Sequence, residues 1–178
     1  MQPILHTSRL TLRPFESSDS DDVERLAGDV RVAETTAAIP HPYPKGAAAD
    51  WIATHTATFE SRKGVIYAIT DTATGKLLGA ISLLSMSVNH ARCQMGYWVG
   101  YDHWKKGICS EAARALIEYA HQVLGMTRVV AHCLTRNIGS ARVMEKVGLS
   151  REGHLIKHAN HKGVFEDVYV YGIVLPGR

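Results

Sequence analysis

The stretch HWKKGICSEAARALIEYA, from His103 to Ala120, sets two lysines and a glycine directly ahead of an alanine-rich run with helical spacing. The first turn of a helix carries backbone N–H groups without intrahelical acceptors and a partial positive charge, so it suits an anion. Gly107 can take a backbone conformation that side chains disfavour, and it admits a close approach. Lys105 and Lys106 add charge beside those donors. Ile108, Ala112, Leu116, Tyr119, Ala120 and Val123 recur on one helical face, which would pack the helix on a sheet. The stretch reads as a strand–turn–helix that offers backbone donors to a phosphate group. A lysine-rich turn on a solvated face accounts for these residues about equally well. Neither G-x-x-x-x-G-K-[ST] nor G-x-G-x-x-G occurs, which excludes the two best-known phosphate loops.

Other reactive side chains are sparse. Cys93, Cys109 and Cys133 are odd in number and form no C-x-x-C pair, so neither a disulfide framework nor a zinc ribbon is indicated. His154, His158 and His161 have a spacing that could hold a metal only on a helix. Their segment reads as strand and turn, so no metal is expected. Asn137 and Ser140 stand at a helix start, an N-cap and a first-turn serine. Gly96, inside a strand pattern, marks a bulge or a close backbone approach.

The elements that position these residues follow from periodicity. Ser8–Pro14 alternates as a strand. Ser17 to Asp22 offers caps for a helix through Ala27. Thr35 to Gly46, with three prolines, is a loop before a helix from Ala47 to Arg62, in which Trp51 and Phe59 are core residues. Strands are expected at Val65–Thr70, Lys76–Leu84, with an irregularity at Gly79, and Ala91–Tyr101. The quoted helix ends near Gly125. A buried strand, Arg128–Leu134, precedes a helix over Ile138–Val147 with Asn137 as its cap and Gly148 after it. Strands around Arg151–Ala159 and Val164–Val174 close the chain. The mixture indicates one α+β domain over residues 1–178.

Composition agrees. The chain has 178 residues, 46% apolar and 21% charged, with net charge +3. That length can bury a sizeable core without staples. The weak, dispersed positive charge suits an anionic ligand and gives no support for nucleic-acid binding. No apolar run approaches a membrane span, and the N-terminus lacks a signal-peptide pattern. Free thiols fit a reducing compartment, and a cytoplasmic location is expected.

W-x-K-G-x-C-S-E-A (Trp104 to Ala112), followed about thirty residues later by N-x-x-S-A-x-x-x-E-K-x-G-L (Asn137 to Leu149), resembles the GNAT acyltransferase superfamily. T-x-R-L-x-L-R-P (Thr7 to Pro14), L-G-A-I (Leu78 to Ile81), M-G-Y-W-V (Met95 to Val99) and E-G-H-L…G-V-F-E-D-V-Y (Glu152 to Tyr169) look like its ribosomal-protein N-alpha-acetyltransferase branch. The resemblance implies a GNAT fold: a mixed, mostly antiparallel sheet splayed at a bulge, with helices on both faces. It implies acetyl-CoA as co-substrate, its pyrophosphate held by Lys105, Lys106, Gly107, Ile108, Cys109 and Ser110. The pantetheine arm would lie along Gly96 to Val99, bonded chiefly near Trp98 and Val99, with an oxyanion donor at the bulge. Asn137 would touch the arm, and Ser140 would protonate the leaving thiolate. A tyrosine often does this seven residues after the asparagine, where Met144 stands here. Arg142 and Lys146 would meet the ribose phosphate or remain surface charge. Cys109 is read as packing.

The base stays open. The branch often carries Glu where Gln94 stands, and an amide cannot take a proton at neutral pH. Water, or a carboxylate such as Glu111, Glu166 or Asp167, remains. His41 and Tyr43 lie in the loop that roofs the acceptor site in the family. The expected activity is direct acetyl transfer to a primary amine, on a protein N-terminus or a small molecule. Thr35–Lys45 contains no Asp or Glu, which disfavours polyamines. The alternatives are a longer acyl-CoA donor or a CoA-binding regulator without catalysis. A homodimer is carried only as family analogy.

Overall fold

The computed structural model describes residues 1–36 and 38–177; two positions of the sequence reading, Ala37 of the proline-rich loop and Arg178, lie outside the described residues. Strand-forming segments rich in Val, Ile, Leu and Tyr assemble into one open eight-stranded sheet in the order β1-β2-β3-β4-β5-β6-β8-β7. These are β1 Leu5–His6, β2 Leu10–Arg13, β3 Val65–Asp71, β4 Leu77–Ser87, β5 Arg92–Val99, β6 Arg128–Leu134, β7 Ser150–His161 and β8 Val164–Val174. Every neighbouring pair is antiparallel except β5 with β6.

The helices are α1 Ser20–Ala27, α2 Val30–Ala33, α3 Ala47–Ala53, α4 His55–Glu60, α5 Ile108–Gln122 and α6 Ile138–Lys146. The single helix expected from Ala47 to Arg62 is two: the Thr54 hydroxyl donates to the Trp51 carbonyl at 2.7 Å, and the chain turns there. The expected stripe of α5 is buried from Ile108 to Ala120, but Val123 lies past the helix end and is 65% exposed.

Both faces of the sheet are covered, which explains why β3 is buried along nearly its whole length. Val65, Tyr67 and Ile69 join the larger core with Leu116 and Ala112 of α5. Ala68, pointing the other way, packs with Val23 and Leu26 of α1 and Ile52 of α3. Leu116 is fully buried, so its truncation to Ala would cost about 2–5 kcal/mol. Gly79 lies where β3 and β4 slip register by one residue, and a Cβ there would stand 2.2 Å from the Trp98 carbonyl oxygen. The expected bulge at Gly96 is not present. Pairing with β4 runs unbroken through Ser82↔Gly96, and the irregularity falls between Leu84 and Ser87.

One buried ring carries a pH dependence. His55 packs edge-on against Trp51 and Phe15, at centroid distances of 4.4 and 5.3 Å. Neither of its nitrogens has a hydrogen-bond partner. Burial lowers its pKa from 6.5 to about 4. The unfolded chain therefore takes up a proton there near pH 6.5, which the folded chain refuses until about pH 4. Its contribution to stability is whole above the upper value and is lost as pH falls toward the lower one. His55→Leu is expected to flatten the fall in Tm across that window in thermal denaturation; an unaltered slope would contradict the assignment.

Candidate active site

The site begins where a ladder stops. β5 and β6 pair in parallel from Arg92↔Arg128 to Met95↔Ala131 and then part. β6 continues against β8 through Leu134, while β5 continues against β4 through Val99. A cleft of about 1130 Å³ fills the gap.

The gap exposes backbone. Gly100 donates its N–H to the Leu78 carbonyl on β4 at 2.9 Å. Alternation then turns the peptide groups of Gly96 and Trp98 toward β4 as well, and those of Tyr97 and Val99 toward the gap. The Val99 carbonyl accepts the Trp104 indole N–H at 2.7 Å. The Val99 N–H and both peptide groups of Tyr97 face the opening. Trp98 contributes its side chain to the cleft and Gly96 its open surface, where an added Cβ would meet only Ser82 Oγ at 3.5 Å.

The expected anion loop closes one end of the cleft. Lys105 and Gly107 both have left-handed backbone, at φ 60° and 79°. The start of α5 has no side-chain cap, so its first N–H groups remain available to a ligand. Lys105, Arg142 and Lys146 line the same cleft. So do Trp98, Val99, Gly107, Ile108, Cys109, Ser110, Asn137 and Ser140; Lys106 does not. The Lys106 carbonyl accepts from the Arg9 guanidinium at 3.2 Å. That guanidinium also grips Glu111, which accepts further bonds from Thr7 Oγ1 at 2.6 Å, Ser8 Oγ at 3.1 Å and the Arg9 N–H at 3.0 Å. The β1–β2 turn is thereby clamped to the first turn of α5.

α6 supplies the other wall. Asn137 Oδ1 accepts the Ser140 N–H at 3.0 Å, so it caps the helix, and its amide nitrogen donates to the Thr35 carbonyl at 3.0 Å. Ser140 Oγ lies 2.9 Å from the Tyr97 hydroxyl, which also donates to the Ser140 carbonyl at 3.1 Å. Burial raises the Tyr97 pKa, so the phenol stays protonated. Sequence reading gave Tyr97 no role. Its one clue was the alternation of Cys93, Met95, Tyr97 and Val99, which puts all four on the α5 side. Burial pushes the Cys109 thiol up to about 12 and the Cys133 thiol to about 11, so neither is a thiolate nucleophile at neutral pH.

The carboxylates considered as base lie elsewhere. Desolvation opposes ionisation of Glu111, but the bonds from Thr7, Arg9 and Ser8 win and hold it at about 2. Glu166 is bound by Arg136 and His161, and Asp167 by the Lys157 N–H and His154; both are lowered. Among the described residues no Asp or Glu lines the cleft. Imidazoles do: His103, His132 and His158. The three late histidines occupy separate surroundings, His154 beside Asp167, His161 under Ala33 and Arg136, and His158 in the cleft. His41 bonds the Gly28 carbonyl at 3.1 Å, and Tyr43 packs beside α1 and α3; the loop residues at the cleft are Thr35, Thr36, Ala38 and Ile39. Trp51, expected in the core, is only partly buried and lines the cleft with Trp98 and Trp104.

The family described as Acetyltransferase (GNAT) domain matches residues 9–150. The chain is 30% identical over 185 residues to Uncharacterized N-acetyltransferase YoaA of Bacillus subtilis (strain 168), covering 99% of each protein. Among solved structures, the acetyltransferase (GNAT family) from Bacillus anthracis is 25% identical, with TM-score 0.85 over 97% of this chain and 98% of that one. RimL, a ribosomal L7/L12 alpha-N-protein acetyltransferase in complex with coenzyme A, superimposes with TM-score 0.89 at 17% identity, over 97% of this chain and 98% of its own. The chain belongs to the GNAT acetyltransferase family. It is an acyltransferase by that membership, with the ribosomal-protein acetyltransferases among its relatives.

Removing the clamp tests its weight. Glu111→Ala is expected to destabilise the fold by about 2 kcal/mol, since bonds to a charged group contribute more than neutral ones. For a chain this size that lowers Tm by roughly 4–8 °C. Because the carboxyl titrates at about 2 folded and 4.5 ordinarily, its contribution is present above the upper value and lost as pH falls through the lower one. Acid denaturation should lose that component in the variant.

Proposed function

We propose that the protein transfers an acetyl group from acetyl-CoA to a primary amine by direct attack, with no acyl-enzyme. The observation that carries this reading is the union, in one cleft, of an unpaired β5 edge and an uncapped α5 start behind a left-handed loop. An extended pantetheine arm can add to such an edge as a strand adds to a sheet. The α5 N–H groups, Lys105 and Arg142 suit the phosphates. The Tyr97 and Val99 N–H groups are the backbone donors available to a thioester oxygen, which gains negative charge as the amine adds. Collapse of the tetrahedral adduct breaks the C–S bond. The departing thiolate takes the proton of Ser140; the Tyr97 proton turns from the Ser140 carbonyl to Oγ to replace it, and solvent restores the phenol. Tyr97 thus brings from β5 the phenol that Met144 lacks on α6.

The acceptor side is bounded by Thr35, Ile39, Trp51, Ser82, Gln94 and His132. The lack of a carboxylate along the cleft, among the described residues, disfavours a polycation and favours an amine on a neutral or anionic carrier, such as a peptide N-terminus. Residues 1–178 act as one catalytic domain in this reading.

Thermal denaturation with acetyl-CoA, CoA, ATP and NAD side by side tests the donor. At about 100 times Kd a ligand adds roughly 2.7 kcal/mol, a rise of about 5–10 °C here. A shift with acetyl-CoA and CoA alone is expected; none with either would refute the donor site. Ser140→Ala is expected to lower kcat about 10²-fold, in the range of general acid catalysis, with little change in acetyl-CoA binding. Tyr97→Phe should lower it less. The double variant should match Ser140→Ala alone, because the two hydroxyls act in series; fully additive losses would break that scheme.

A further inference from the structure

The attacking nitrogen must give up a proton, and no carboxylate among the described residues lines the cleft to take it. Three imidazoles do line it, and the sheet distinguishes them. His103 lies beyond the end of β5, next to Trp104 and the phosphate loop. His158 lies in β7 within the register break between Leu155 and Ala159. His132 lies in β6 one residue past Ala131, the last residue paired with β5.

Register settles where His132 points. Val129, Ala131 and Cys133 are buried in the core under α5, so His132 projects from the opposite face, the one that carries Gln94 and Val130. It stands at the vertex of the gap, across from Gly96, where the edge donors of Tyr97 begin. Its ring makes no hydrogen bond to any described residue, so a nitrogen lone pair is free to face the cleft. Resting on the acetyl-transfer reading above, we propose that His132 is the general base, taking the proton from the amine nitrogen as the C–N bond forms.

The proton count closes. The amine enters neutral, its ammonium form having already lost one proton to solvent. It adds to the thioester carbon, and the positive nitrogen passes a proton to His132, directly or through one water. The C–S bond breaks, and the thiolate receives the Ser140 proton. Acetamide and CoA thiol leave, and His132 returns its proton toward Ser140 and Tyr97 through solvent. The groups facing His132 keep it neutral and able to accept. Desolvation by the cleft walls lowers its pKa below the ordinary 6.5, and His158 from β7 adds a smaller push. β5 contributes the uncharged Gln94, and β8 the apolar Val168 and Val170. The nearby Arg136 is already paired with Glu166.

The test uses the full chain, acetyl-CoA and a panel of serine-, alanine- and methionine-terminated peptides, spermidine and free amino acids, with CoA release as the signal. With the amine that turns over fastest, wild-type kcat/KM should rise with pH through an inflection below the ordinary histidine value. His132→Gln should lose that inflection and fall 10²–10⁴-fold, the usual span of general base catalysis, while keeping the acetyl-CoA thermal shift. His132→Ala should regain part of the rate with added imidazole. His158→Gln should keep the inflection. Wild-type rate and inflection surviving in His132→Gln would overturn the role of His132 alone, as would loss of the inflection in His158→Gln instead. Acetyl-CoA binding without CoA release for any amine would overturn the acetyl-transfer reading and the base with it.

Discussion

Parallel strands β5 and β6 stop bonding at Met95 and Ala131, and the site is organised around that interruption. Buried peptide groups are rarely left without partners, because each unpaired one costs roughly 1–3 kcal/mol. Val99 meets part of the demand through the Trp104 indole, while β6 stays anchored through its other edge, against β8. The remaining groups of Tyr97 and Val99 face a cleft, where water or an extended ligand can bond them. The sheet tolerates the gap because both its faces are packed, by α5 and α6 on one side and by α1 and α3 on the other. The packed faces hold the sheet together on either side of the open edge.

The same interruption divides the chemistry by face. Odd-numbered residues of β5 point to the α5 side, so Tyr97 meets Ser140 there. Even-numbered residues point to the α1 side, so Gln94 and Trp98 look toward the loop of Thr35 and Ile39. In β6 the same parity holds: Cys133 lies on the α5 side and His132 on the other. In the proposed reaction this places the proton donor and the proton acceptor on opposite faces of one splayed pair, so that they do not neutralise each other.

Much of this was legible in the residues. Gly107 ahead of a periodic apolar run located the start of α5, and Asn137 three residues before Ser140 located the cap of α6, because both are local signals. Strand spans came out within a few residues for the same reason. Less legible was whatever depends on pairing partners far apart in the chain. The break at Thr54, where both the hydroxyl and the backbone N–H bond the Trp51 carbonyl, leaves no mark on helix periodicity. The peptide groups of β5 that face the cleft depend on which residues bond β4, so of Trp98 and Val99, the two expected to bond the arm, only Val99 turns its peptide groups to the gap, and Tyr97 joins it. Glu111 stays open as a base in the sequence, where its support of the helix turn is the stronger reading; its partners in the turn at Thr7–Arg9, about a hundred residues away, become visible only in the fold.

The chain has three tryptophans, and Trp51, Trp98 and Trp104 all border the same cleft. They sample its length, from the loop on the α1 side to the start of α5. Their indoles feel whatever replaces water there, and none reports on a distant part of the surface. Intrinsic emission of this protein is therefore an optical gauge of cleft occupancy, and titrating a ligand while watching its colour and intensity follows the cleft without any label.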